Sequence, residues 1–131
     1  QFGFSPEALF AKGVAVKTAI AANSGKTPEE AAKAGLSIDD IGLFEINEAF
    51  AVQVLGFLQH FGLADDDARV NQYGGAIALG HPLASSGVRL MIQLARQFEE
   101  RPDVRYGITT MCIGLGMGGS VIWENPNWQG K

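Results

Sequence analysis

Three loop-borne residues in this chain carry side chains that could do chemistry together: Asn47, His81 and Cys112. An amide donates from a fixed direction, and an imidazole donates or accepts near neutral pH. A thiol, with an ordinary pKa of about 8.5, is a base once deprotonated. Brought together, an amide, an imidazole and a thiol would make a candidate reactive site. Taken singly, each has a plainer reading: Asn47 as a helix cap, His81 as a turn residue, Cys112 as a small buried apolar side chain. Their positions argue for more. Asn47 follows a strand candidate, His81 lies in the loop Gly80-His81-Pro82, and Cys112 ends a second strand candidate before a run of glycines. In a layer of alternating strands and helices such ends converge on one rim.

The elements that must position them alternate along the chain. Ser5-Pro6-Glu7 is a helix start, and Ala8 to Ala22 reads as an Ala-rich helix stopped by Asn23-Ser24-Gly25. Thr27-Pro28-Glu29-Glu30 repeats the signal for a short helix to about Lys33, which Gly35 ends. Ile41 to Ile46 is a compact strand. Glu48 to Phe61 reads as a helix with Ala49, Val52, Leu55, Phe57 and Leu58 on one face and Asn47 as its cap. Ala68 to Gln72 is a short strand, and a helix from about Ala84 to Glu100 turns Val88, Met91, Ile92, Leu94, Ala95 and Phe98 towards the core. Tyr106 to Cys112 is a buried strand, Gly114 to Gly119 a tight glycine turn, and Ser120 to Glu124 the antiparallel partner. The pattern predicts one α/β domain with its core in residues 35–131, preceded by a helical segment over residues 1–34.

Composition excludes several function classes. The chain has 131 residues, 47% hydrophobic and 18% charged, enough for one domain with its own core. A net charge of −4 without a basic cluster argues against nucleic acid as a partner. No apolar run approaches the roughly 20 residues that cross a bilayer, so no membrane association is expected. A single cysteine forms no internal disulfide and fits a reducing compartment, the cytoplasm. The start, Gln1-Phe2-Gly3-Phe4, has neither an initiator Met nor a signal peptide's basic flank, and reads as cut from something longer. No metal is expected, since His60 has no second ligand at metal spacing. Gly114 to Gly119 contains G-x-G-x-x-G but leads into a strand pattern, not a helix. Gly25-Lys26-Thr27 lacks the earlier glycine of a phosphate loop, and Ser85-Ser86 lacks the elbow of a serine hydrolase.

Three ordered blocks resemble the thiolases. Asn47-Glu48-Ala49-Phe50 is similar to that family's Asn-Glu-Ala-Phe, Gly74-Gly75-Ala76-Ile77-Ala78-Leu79-Gly80-His81-Pro82 to its Gly-His-Pro block, and Cys112-Ile113-Gly114 to its terminal Cys-x-Gly. The resemblance runs from about Gly35 to Glu124 and implies the C-terminal half of an enzyme built from two similar halves around one site. It implies reversible Claisen condensation or thiolysis of coenzyme A thioesters, with acyl-CoA and CoA as substrates and no covalently bound cofactor. Cys112 would be the acid/base, and its thiolate would need help from a nearby imidazole and glycine-loop N–H groups. His81 would donate to the thioester oxygen as it becomes an enolate, and Asn47 would hold a water as second donor. Gly114 N–H would help stabilise the tetrahedral intermediate, which would make a bulky side chain there awkward, and Ala49 and Phe50 would line the pantetheine and acyl end. The nucleophilic cysteine would come from a separate N-terminal domain, so the isolated chain is expected to be inactive, and a homo-oligomer is expected at full length.

By the same resemblance the fold is a thiolase-like half: helices on a mixed four- to five-stranded sheet, in the order 3-2-4-5-1, with the last strand antiparallel. Residues 1–34 depart from the family pattern, with at most the tail of a first strand and an insertion near Asn23 to Glu30. A short, absent or borrowed first strand would leave Ser120 to Glu124 at an edge. A second departure, Leu83-Ala84-Ser85-Ser86-Gly87, makes the helix start after His81 bulkier than the family's Gly and Ala. Two other readings compete. A ketosynthase-like condensing enzyme would lack the terminal cysteine, and a non-catalytic assembly or binding domain would have no use for all three of Asn47, His81 and Cys112.

Overall fold

The computed structural model describes residues 16–17, 35–114 and 117–130. Within them lie β1 (Val16–Lys17), a one-turn 3-10 helix (Ile38–Asp40), β2 (Ile41–Ile46), α1 (Ala51–Phe61), α2 (Ala76–Leu79), α3 (Leu83–Glu100), β3 (Tyr106–Gly114) and β4 (Met117–Glu124). The expected helix from Thr27 to Lys33 lies outside the described residues, as does most of that from Ala8 to Ala22. At Val16 and Lys17, however, the chain is extended and pairs antiparallel with Trp123 and Ile122 of β4, which satisfies backbone groups that an edge strand would leave open.

Among the described residues the sheet has three full strands and the two-residue β1, in the order β1-β4-β3-β2. β2 runs parallel to β3, and β3 antiparallel to β4, with the two residues of β1 beyond β4. Alternation along β2 sends Phe44 and Ile46 to one face and Leu43 and Glu45 to the other. On the first face, Ile41, Phe44, Ile46, Tyr106, Ile108 and Ile122 form a cluster against which Val54 and Phe57 of α1 pack. On the second, Leu43 meets Leu94 and Phe98 of α3, with Val104. The sheet is therefore covered on both sides, and side chains such as Phe44 and Ile108 each contribute about 1.5–3 kcal/mol by leaving water.

Several expectations are corrected. Ala68 to Gln72 is turn, with a single parallel bridge between Val70 and Phe44. Asp67 closes the turn on the Arg69 N–H and guanidinium, and Asn71 takes a left-handed φ of 47°, so only one residue can run beside β2. α1 starts at Ala51 rather than Glu48, capped by the backbone of Phe50 with no side-chain bond, so Asn47 is not a helix cap. Its inward stripe is Val54 and Phe57, half-buried, with Leu58 buried, while Val52 and Leu55 are exposed. The glycine turn is shorter than expected, because Gly118 and Gly119 belong to β4 and pair with Cys112 and Met111. α3 begins at Leu83, and its inward face is partly polar: Ser86, Leu90, Gln93, Leu94, Gln97 and Phe98 are buried. Val88, Met91 and Ile92 point outward instead.

Candidate active site

Asn47 is placed by the parallel ladder. Its N–H donates to the Thr110 carbonyl at 2.9 Å, one residue past the Ile46–Thr110 pair, which sets it just beyond the end of β2, beside the last residues of β3. The side chain is buried, and its Nδ2 lies 3.3 Å from His81 Nε2. Nδ2 can only donate, so Nε2 accepts. The other ring nitrogen, Nδ1, is 2.6 Å from Ser86 Oγ, which lies 3.1 Å from the Pro82 carbonyl. One proton order satisfies all three contacts: Asn47 Nδ2–H to Nε2, Nδ1–H to Ser86 Oγ, and Ser86 O–H to Pro82 O. The amide oxygen of Asn47 is buried and has no hydrogen-bond partner among the described residues.

Cys112 lies on β3 two positions past Thr110, at the same rim as Asn47, as an exposed free thiol. The structure thus brings Asn47 and His81 into contact, while among the described residues no hydrogen bond joins Cys112 to either. Gly114 ends β3 with a φ of 106°, a conformation that side-chain-bearing residues rarely adopt, and a Cβ there would meet nothing within 4 Å. Its backbone geometry by itself favours glycine. Ala49 is half-buried in the bend before α1, and Phe50 is 68% exposed.

The loop that carries His81 is held from both sides. Glu48 Oε1 accepts from Asn71 Nδ2 at 2.8 Å, and Oε2 accepts from the Ile77 N–H at 2.9 Å. From α3, Gln93 Nε2 donates to the Gly74 carbonyl and Arg89 Nη1 to the Gly80 carbonyl. Deeper still, Glu45 is 0% exposed and accepts from Gln97 Nε2 at 2.5 Å. Burial pushes its pKa up to about 7, against the smaller lowering effects of Gln97 and Arg89. Sequence reasoning missed Ser86, Glu48 and Asn71 as site residues. Ser86 carried a usable signal, one turn into a helix that follows the histidine directly.

No group of three or more His, Cys, Asp or Glu side chains among the described residues is arranged to hold a metal ion. No described helix is long and apolar enough to cross a membrane.

Comparison with known proteins shows the family to which the chain belongs. Residues 8–125 match the family model described as Thiolase, C-terminal domain. The chain is 53% identical over 93 residues to a 3-ketoacyl-CoA thiolase of Escherichia coli O139:H28, covering 70% of this chain and 24% of that protein. It resembles the crystal structure of human mitochondrial 3-ketoacyl-CoA thiolase in complex with CoA, with a TM-score of 0.67 and 43% identity over 72% of this chain and 23% of that one. It also resembles the peroxisomal 3-ketoacyl-CoA thiolase of Saccharomyces cerevisiae, a five-layered structure of two core domains of identical topology, with a TM-score of 0.65 and 40% identity over 75% of this chain and 27% of that one. The chain belongs to the thiolase family, as its C-terminal domain. It spans about a quarter of the length of the curated relatives it matches.

Proposed function

We propose that this chain supplies the acid/base and oxyanion-binding half of a thiolase that makes or cleaves the carbon–carbon bond of a 3-ketoacyl-CoA, acetoacetyl-CoA included. The observation that carries the reading is the Asn47–His81 contact, made between two blocks 34 residues apart. In condensation, Cys112 as thiolate takes the α-proton of acetyl-CoA, and negative charge moves to the thioester oxygen. A donor aimed at that oxygen lowers the barrier because it is in place before the charge develops. His81 provides it through Nε2–H. Ser86 supports this state as well, since its hydroxyl can turn from the Pro82 carbonyl and donate to Nδ1. Asn47, released from Nε2, holds a water as second donor. In thiolysis the same thiol gives and takes its proton in the reverse order, and Gly114 N–H, Ala49 and Phe50 serve the acyl end.

The nucleophilic cysteine comes from an N-terminal half. This agrees with the outward side of α3, where Leu83 is 80% and Val88 51% exposed beside Met91 and Ile92, an apolar strip of the kind that marks a protein contact. The full sheet of four to five strands belongs to the same reading. The 131-residue chain alone has no turnover. Mixing it with a thiolase N-terminal half that carries a nucleophilic cysteine restores thiolysis of acetoacetyl-CoA, and Cys112→Ala in the mixture abolishes it. Turnover by the isolated chain, or undiminished turnover with Cys112→Ala, would overturn the reading.

A further inference from the structure

Among the residues of the matched blocks that take no part in the reaction described above are Glu48, which follows Asn47, and Gly75, near the head of the segment leading to His81. Gly75 has a φ of −97° and a ψ of −164°, extended backbone that any residue adopts, so its conformation does not call for glycine. Space does. A Cβ on Gly75 would run into the carboxylate of Glu48. That carboxylate has both oxygens engaged, Oε1 by Asn71 Nδ2 at 2.8 Å and Oε2 by the Ile77 N–H at 2.9 Å. Asn71 is itself tied to β2, its Oδ1 accepting from the Ile46 N–H at 2.7 Å and its N–H donating to the Phe44 carbonyl at 2.8 Å. Glu48 thus joins the end of β2 to the start of α2, one short helical turn before Gly80 and His81.

We propose that Glu48 is a positioning residue for His81 and that Gly75 is glycine to admit its carboxylate. Asn47 and Glu48 are consecutive: one touches the imidazole, and the other fixes the loop that delivers it. Only a carboxylate satisfies the geometry, because both incoming groups are donors. An amide would turn an NH2 group towards one of them, and an aspartate falls a methylene short. Gln93 and Arg89 hold the Gly74 and Gly80 carbonyls independently, so the loop keeps its overall path when Glu48 is changed.

The role in turnover rests on the thiolase reading, whereas the positioning itself is read by NMR on the 131-residue chain. Glu48→Gln speeds hydrogen exchange of the Ile77 amide by about tenfold or more, the loss of one charge-assisted bond. It also shifts the His81 Nε2 resonance away from its value with Asn47 as donor. Gly75→Ala produces the same two changes by displacing the carboxylate. In a Glu48→Ala background, which vacates the space, Gly75→Ala adds less than about a twofold further change in exchange. In the mixture with an N-terminal half, Glu48→Gln lowers kcat about tenfold and leaves KM within about twofold, as misplacement of a donor should. Unchanged Ile77 exchange and His81 resonances in Glu48→Gln, or a Gly75→Ala effect equally large in both backgrounds, would overturn the proposal. These NMR results decide it even if the wild-type mixture shows no thiolysis, an outcome that would count against the thiolase reading alone.

Discussion

Glu45→Gln should stabilise the domain, and do so only above acidic pH. Glu45 is fully buried against α3, with one carboxylate oxygen taking a hydrogen bond from Gln97 and the other without a partner among the described residues. Desolvation raises its pKa from 4.5 to about 7 in the folded chain. A raised carboxyl pKa means that the folded state holds the proton more tightly than the unfolded chain does. The contribution is full below pH 4.5 and is lost as pH rises through about 7. At about 1.36 kcal/mol per pH unit, the separation between the two values corresponds to roughly 3 kcal/mol lost by pH 8. The substitution removes the titration and keeps the shape. Urea unfolding of both proteins should therefore show a gap in favour of Glu45→Gln that widens by about 2 kcal/mol between pH 5 and pH 8. Parallel stability profiles over that range would refute the reasoning, because they would mean that Glu45 reaches water or a cation when it ionises.

Two further predictions concern packing and the imidazole. Gly107→Ala should cost about 1–3 kcal/mol in urea unfolding, because a Cβ there would lie 2.6 Å from Leu94 Cδ1 and 2.9 Å from Phe98 Cζ. Ser86→Ala should leave His81 Nδ1 without its buried partner, lowering stability by about 1–3 kcal/mol and giving a mixture of tautomers in the imidazole 15N spectrum. A single unshifted tautomer in Ser86→Ala would show that Asn47 alone sets the ring.

The three chemical residues and their order were legible in the sequence because each sits in a short block with its own glycines, and β2, β3 and β4 because β-branched and aromatic residues run between turn signals. The function of Asn47 was harder to see. An Asn between a strand and a helix looks like a cap, and only the Thr110 ladder bond and the occupied Glu48 carboxylate show why the helix waits until Ala51. α3 was misread for a related reason. Apolar periodicity finds the core face when polar residues face water, but here Gln93 and Gln97 turn inward to partners on Gly74 and Glu45. Those partners are distant in sequence, so nothing local announces them. Of the apolar residues that periodicity picks out, Leu94 and Phe98 do face this domain's sheet, whereas Val88, Met91 and Ile92 face away from it.

The pairing of Val16 and Lys17 with β4 also bears on the order in which the chain assembles. β3 and β4 are neighbours in sequence and can zip from their turn, and α3 precedes them closely. Val16 and Trp123 lie near opposite ends of the chain, so joining them closes a loop around nearly everything else. A two-residue contact cannot offset that closure entropy until the strands between are already in place. Among the described strands, the one earliest in the sequence is thus the last to dock, and pulse-labelled hydrogen exchange during refolding should find the β4 amides facing it protected after those shared with β3.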